Sequence, residues 1–161
     1  MRYLFLYIVI ALAMLLLPKG TDASKLAPAE LVYVSVEDGM TQISTDLGNS
    51  GRGRTLAEAF KDLENTTPGK VFLDTAEYLL IDREMADQLP QLKEWLKGNC
   101  LICLADGVED MEGAARYLTA HPPGTKLKSC DGEAPLTEML QEENGRFCLS
   151  ENKSKKDEKS T

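Results

Sequence analysis

Cys100-Leu-Ile-Cys-Leu-Ala-Asp-Gly107 sets six apolar residues in a row before a turn pair. A strand exposed on one side alternates apolar and polar residues, whereas an unbroken apolar run of this length belongs to a strand covered on both faces. Such a strand needs helices beside it, and the flanking sequence supplies two. Upstream, Arg83 to Leu96 carries Met85, Leu89, Leu92, Trp95 and Leu96 at helical spacing, with Pro90 expected to kink it because proline removes a donor and crowds the preceding turn. Downstream, Glu109 to Ala120 has the composition and spacing of a second helix. Before both, Val71-Phe-Leu-Asp-Thr-Ala-Glu-Tyr-Leu-Leu-Ile81 reads as one strand-rich run after the Thr67-Pro68-Gly69 turn. Strand, helix, strand, helix predicts an α/β fold, a single domain on a mixed β-sheet with crossover helices.

Toward the N-terminus, Leu31 to Val36 and Thr41 to Asp46 alternate around Asp38-Gly39, the signal of a hairpin. Gly48, Gly51 and Gly53 then predict a flexible loop. Thr55-Leu-Ala-Glu58 has the form of a capping box opening a helix to about Leu63, with Leu56, Ala59, Phe60 and Leu63 on one face. Toward the C-terminus, Lys126 to Cys130 is expected as an edge strand, and Thr137 to Glu142 should pair with Arg146 to Leu149 across Asn144-Gly145.

The chain has 161 residues, room for one domain. Residues 1–23 read as a secretory signal: Arg2, fifteen apolar residues from Tyr3 to Leu17, then a polar exit with small residues before Ser24. Fifteen residues fall short of the ~20 of a spanning helix, which favours cleavage over an uncleaved N-terminal anchor. In either case the domain, residues 24–150, is expected to be exported, secreted or held on the outer face of the cytoplasmic membrane. Membrane contact is then expected only through the N-terminal segment, if it is retained. Residues 151–161 hold no apolar residue and are expected to form a disordered polar tail. The formal charge is −8, and with one net positive charge at each end the middle carries −10. A surface so acidic repels phosphate backbones, so nucleic acid is not an expected partner.

The most suggestive string for chemistry is Gly48-Asn-Ser-Gly-Arg-Gly-Arg-Thr55, which reads G-x-x-x-x-G-R-T. A nucleotide loop needs Lys where Arg54 stands, to bridge the phosphates, so nucleotide hydrolysis is disfavoured. What survives is a seat for a carboxylate, on this chain or on a partner, made by Gly51, Arg52, Gly53, Arg54 and Thr55 at a helix start. Cys100 and Cys103 have the spacing of a metal pair, but positions three apart in a strand point to opposite faces, so both are expected as core residues, with no metal and no cofactor. In an exported chain disulfides are an alternative, Cys130 with Cys148 first among them. The single histidine, His121, lies at a helix end without a nucleophile in a recognisable motif, where it is expected to cap the last carbonyls. Asp74, Glu77, Asp82 and Glu84 are expected on a solvated surface.

Taken in order, Ser50-Gly-Arg-Gly-Arg-Thr-Leu-Ala-Glu-Ala-Phe60, the Pro68 to Ile81 run, Met85-Ala86 and the Cys100 to Gly107 strand with its following helix resemble the N-terminal domain of the spore germination Ger(x)C family, over roughly residues 31–120. Members are C subunits of germinant receptors. The resemblance implies a non-enzymatic, extracytoplasmic α/β domain acting by protein contact in spore germination or sporulation, with membrane germinant-receptor subunits as candidate partners. The chain departs from the pattern in lacking the lipidation cysteine after the apolar segment, in ending soon after the first domain, and in having no histidine near Thr75. The alternative is an exported small-ligand domain that binds an anion through the Gly51 to Thr55 segment.

Overall fold

The computed structural model describes residues 26–67, 70–130, 136–143 and 145–151. Strands β2 (Leu31–Glu37), β3 (Met40–Thr45), β4 (Ser50–Gly53), β6 (Tyr78–Ile81), β7 (Leu101–Ala105), β8 (Glu138–Glu143) and β9 (Arg146–Glu151) form one mixed sheet in the order β4-β3-β2-β6-β7-β8-β9. The middle four, β2, β6, β7 and β8, run parallel, and an antiparallel hairpin extends the sheet at each end. Two short strands, β1 (Leu26–Pro28) and β5 (Lys70–Phe72), pair separately in parallel. Helices α1 (Leu56–Thr66), α2 (Leu89–Leu92) and α3 (Met111–Ala120) complete the α/β architecture.

Register explains why these sequences pair. Ile43, Val34, Ile81 and Leu104 stand side by side across four strands, and all four lie in the larger of two core clusters, with α1, α2, Met85 and Leu127. One residue away in phase, Tyr33, Leu80 and Cys103 form the matching row, packed in the second cluster with Val108, Ala114, Ala115 and Leu118 of the α3 side. A period of two thus sorts each strand between two buried faces. Cys100 falls in the first cluster and Cys103 in the second, as strand alternation requires. Phe60 of α1 stacks on Trp95 at 4.5 Å and 8°, which locks α1 to the segment after α2.

Five sequence expectations are corrected, four within the domain and one at its C-terminal end. The glycines after β3 do not make a flexible loop. Ser50–Gly53 is the strand β4, with Gly51 and Gly53 both buried under α1. A Cβ on Gly51 would lie 2.3 Å from the Ala59 carbonyl oxygen and the Leu63 nitrogen, and one on Gly53 would lie 2.5 Å from the Ala59 nitrogen. The helix backbone rests directly on the strand backbone, and only glycine leaves space for that approach. The 71–81 run is not one strand. It divides into β5, a 3-10 turn at Leu73–Thr75 and β6, held by the Thr75 hydroxyl donating to the carbonyls of Phe72 and Ala29. Pro90 does not kink a long helix, because Arg83–Gln88 is 3-10 and Pro90 sits in the first turn of α2, where its missing N–H costs nothing. Lys126 to Cys130 contributes a single bridge, Leu101 with Lys126, and then a 3-10 turn at Leu127–Ser129.

At the C-terminus, β8 and β9 pair antiparallel through Gly145 at φ 70°, as the hairpin signal requires. Glu151, assigned to the tail on sequence grounds, is the last residue of β9. The expected signal segment 1–23 and the rest of the tail, 152–161, lie outside the described residues.

Gly51→Ala should therefore destabilise the protein by about 3 kcal/mol, the upper part of the range for forcing atoms into a packed contact. Gly48→Ala, at φ +75° with no neighbour within 4 Å of the new methyl, should cost about 1 kcal/mol from backbone strain alone. Chemical denaturation of the two variants beside the wild type checks the order.

Candidate functional site

The segment singled out by sequence, Gly51 to Thr55, lies at the sheet edge under the start of α1. Its residues divide by what they touch. Gly51 and Gly53 are packing residues. Thr55 caps α1, its hydroxyl accepting from the Glu58 N–H at 3.2 Å. Glu58 reaches back to accept from the Arg54 N–H at 2.9 Å, a capping box displaced by one residue. Asp62, one turn further along, accepts from the Arg52 N–H at 2.9 Å. Thr66 donates to the Ser50 carbonyl at 3.1 Å. Side chains of α1 thus satisfy outward backbone groups of the edge strand β4, a standard way of closing a sheet edge.

Two guanidinium groups remain. Arg52 donates to the Glu37 carbonyl at 3.0 Å and pairs with Asp38 at 3.3 Å, so it braces the β2–β3 turn from the exposed side. Arg54 is exposed, and its guanidinium has no hydrogen bond or ion pair among the described residues. Both arginines border an open groove of about 480 Å3 with Met40, Glu58, Lys61 and Asn65. Of the nearby carboxylates, Asp38 pairs with the Arg52 guanidinium, whereas Glu58 and Asp62 accept from the backbone N–H groups of Arg54 and Arg52.

A second constellation, missed in the sequence, lies at the carboxyl ends of the parallel strands. The Tyr33 hydroxyl, from β2, donates to Asp82 Oδ1 at 2.5 Å and accepts from the Gly107 N–H at 3.2 Å. Asp82 Oδ2 accepts from the Val36 N–H at 3.0 Å. One phenol and one carboxylate therefore tie together the ends of β2, β6 and β7. This corrects the placement of Asp82 on a solvated surface: it is half-buried and engaged at both oxygens, whereas Asp74, Glu77 and Glu84 are exposed. Burial raises the Tyr33 pKa first, and the hydrogen bond to Asp82 and that carboxylate's charge raise it further. The available signal was an aromatic with a polar tip on the inward phase of β2, since a buried tyrosine hydroxyl seeks a partner.

No disulfide links the four cysteines among the described residues; Cys100, Cys103 and Cys130 are buried and Cys148 is exposed on β9. The Cys130–Cys148 disulfide is not formed: Cys130 is packed in the larger core cluster while Cys148 stands on the edge strand. Burial, with the negative charges of Glu77 and Glu138 as lesser causes, pushes the thiols of Cys100 and Cys103 up to about 12. Among the described residues no three His, Cys, Asp or Glu side chains converge as a metal site. His121 ends α3 through its backbone, donating to the Tyr117 carbonyl, and its ring stacks on Tyr117 at 4.7 Å. The Tyr117 hydroxyl accepts from the Leu149 N–H at 3.1 Å, so α3 also reaches the β9 edge.

No family model, no curated protein and no solved structure matches this chain.

Two outcomes follow from this geometry. A thiol reagent at pH 8 should titrate one cysteine rapidly in the native protein, abolished by Cys148→Ser, and four after denaturation. Tyr33→Phe should lower stability at neutral pH by about 1–3 kcal/mol, because Asp82 Oδ1 and the Gly107 N–H lose their partner together. The pKa shift adds a pH signature. The unfolded phenol releases its proton near 10.0 while the folded one holds it to higher pH. The stabilisation is therefore complete below pH 10 and declines as pH rises above it. Denaturation curves from pH 8 upward should show a decline in the wild type that is steeper than in Tyr33→Phe.

Proposed function

We propose that the chain is a non-enzymatic, extracytoplasmic domain that works by protein contact in spore germination or sporulation, the setting that its order of motifs implies. The observation that supports this most is where the motif residues lie. Gly51, Gly53, Ala59 and Leu63 form the contact of α1 with β4. Ile81, Met85 and Ile102 share one core cluster with Ala59 and Leu63. The Ger(x)C-like pattern is thus a pattern of packing positions in one unit, and what it transmits is a framework that presents surfaces.

On that framework Arg52 and Arg54 stand outward beside the open groove. They suit a carboxylate-bearing face of a membrane germinant-receptor subunit. For the anion-binding alternative the segment offers fewer donors, because the N–H groups of Arg52, Arg54 and Glu58 already go to Asp62, Glu58 and Thr55. Of the two guanidinium groups, that of Arg54 is left to make contact, since Arg52 already pairs with Asp38 and the Glu37 carbonyl.

A tagged full chain expressed in its native host, with a photo-crosslinking residue at Lys61, should capture an envelope protein. Arg52→Ala combined with Arg54→Ala should cut capture by about tenfold, while stability changes by less than about 1 kcal/mol, as expected for exposed ion pairs. Capture that ignores the double substitution, together with normal germination of a deletion strain, would sink the proposal.

A further inference from the structure

The chain leaves the neighbouring parallel strands β6 and β7 in opposite directions. After β6 it turns at Asp82 onto the face that holds Met85, Leu89 and Leu92. After β7 it turns at Asp106 toward the other face, where Val108, Ala114 and Leu118 pack. When connections depart from adjacent parallel strands to opposite faces, a crevice opens between the carboxyl ends of those strands. Open α/β sheets take ligands at that place. Such a crevice is present here. It encloses about 420 Å3, with Asp82, Arg83, Glu84 and Asp106 at its walls and Leu104 and Met139 among its apolar lining. The volume is within the range of small-molecule sites.

The chemistry of the lining selects the ligand. Three carboxylates against one guanidinium make the site net negative, and the apolar lining offers a surface for a short hydrocarbon body. Asp82 is held rigidly, because the Tyr33 hydroxyl and the Val36 N–H fix its two oxygens, so no ordering of that carboxylate is needed on binding. A divalent ion takes six or more oxygens, water included, and is held tightly where several ligating side chains converge; among the described residues no three His, Cys, Asp or Glu side chains do so. An ammonium needs only one or two carboxylates and tolerates an apolar neighbour.

We propose that this crevice binds a small organic ammonium, its charged end among Asp82, Glu84 and Asp106 and its apolar body against Leu104 and Met139. The site is separate from the Arg52–Arg54 surface and does not rest on the contact role.

The test uses three probes with one hydrocarbon body: butylammonium, butanol and butyrate. They are titrated into the 15N-labelled full chain in a mild detergent while backbone amide shifts are followed. Butylammonium should shift the amides of Val36 and Gly107, saturably and less strongly in high salt, and the other two should not. Glu84→Gln with Asp106→Asn, both at exposed positions, should weaken butylammonium about tenfold with the circular dichroism spectrum preserved. Butyrate binding as tightly as butylammonium, calcium binding more tightly at the same amides, an unaffected double variant, or no shift with butylammonium would each overturn the assignment. The comparison of probes on the wild type stands whether or not the double variant folds.

Discussion

The contact between the backbone of α1 and the backbone of β4 is the constraint on which the rest of this molecule depends. A helix normally stands off a sheet by the depth of two layers of side chains. Here Gly51 and Gly53 remove one layer, and the helix settles until Ala59 and Leu63 meet the strand itself. That descent brings Asp62 and Thr66 level with the outward groups of β4. It also sets Phe60 at the height where it stacks on Trp95, which fixes the segment following α2 over the same face. One pair of glycines thereby positions the edge, the helix and the cover of the larger core.

At the other end of the parallel strands, the Tyr33–Asp82–Gly107 linkage does for the strand termini what the glycines do for the edge. Strand ends carry backbone groups that the ladder no longer satisfies. A phenol that both donates and accepts, next to a carboxylate that accepts twice, satisfies two of the backbone donors there, from β2 and from the turn after β7. Burial, the hydrogen bond to Asp82 and that carboxylate's charge raise the phenol's pKa, so the protonated form that fills both roles persists to higher pH than in a free tyrosine.

Much of the architecture was legible because it rests on local periodicity. The Cys100–Gly107 run, the Asp38-Gly39 hairpin, the Thr55 cap and the split of Cys100 and Cys103 between two faces all follow from alternation or from capping chemistry within a few residues. What escaped was set by distant partners. Gly51 and Gly53 resemble loop residues until a helix is known to lie on them. Asp82 resembles surface charge until Tyr33, 49 residues away, is found beside it. The 71–81 run looked continuous because its apolar content gave no hint that Thr75 would donate to the Ala29 carbonyl and break it. For the candidate site, Arg52 and Arg54 were visible as types, but the carboxylates that answer the nearby N–H groups lie one and two helical turns into α1.

The treatment of the two sheet edges has a bearing on assembly. Extending a sheet from molecule to molecule requires that one edge accept what the opposite edge offers, so that each addition regenerates the same pair of free ends. On β4, Asp62 and Thr66 hold the outward donor of Arg52 and the outward acceptor of Ser50. On β9 the Leu149 donor goes to a tyrosine from α3. Head-to-tail growth from β9 onto β4 thus meets a side that does not regenerate. Both edges of the seven-stranded sheet thus spend outward backbone groups on side chains of their own chain, which leaves these described strands fewer groups with which to add a strand from a second copy.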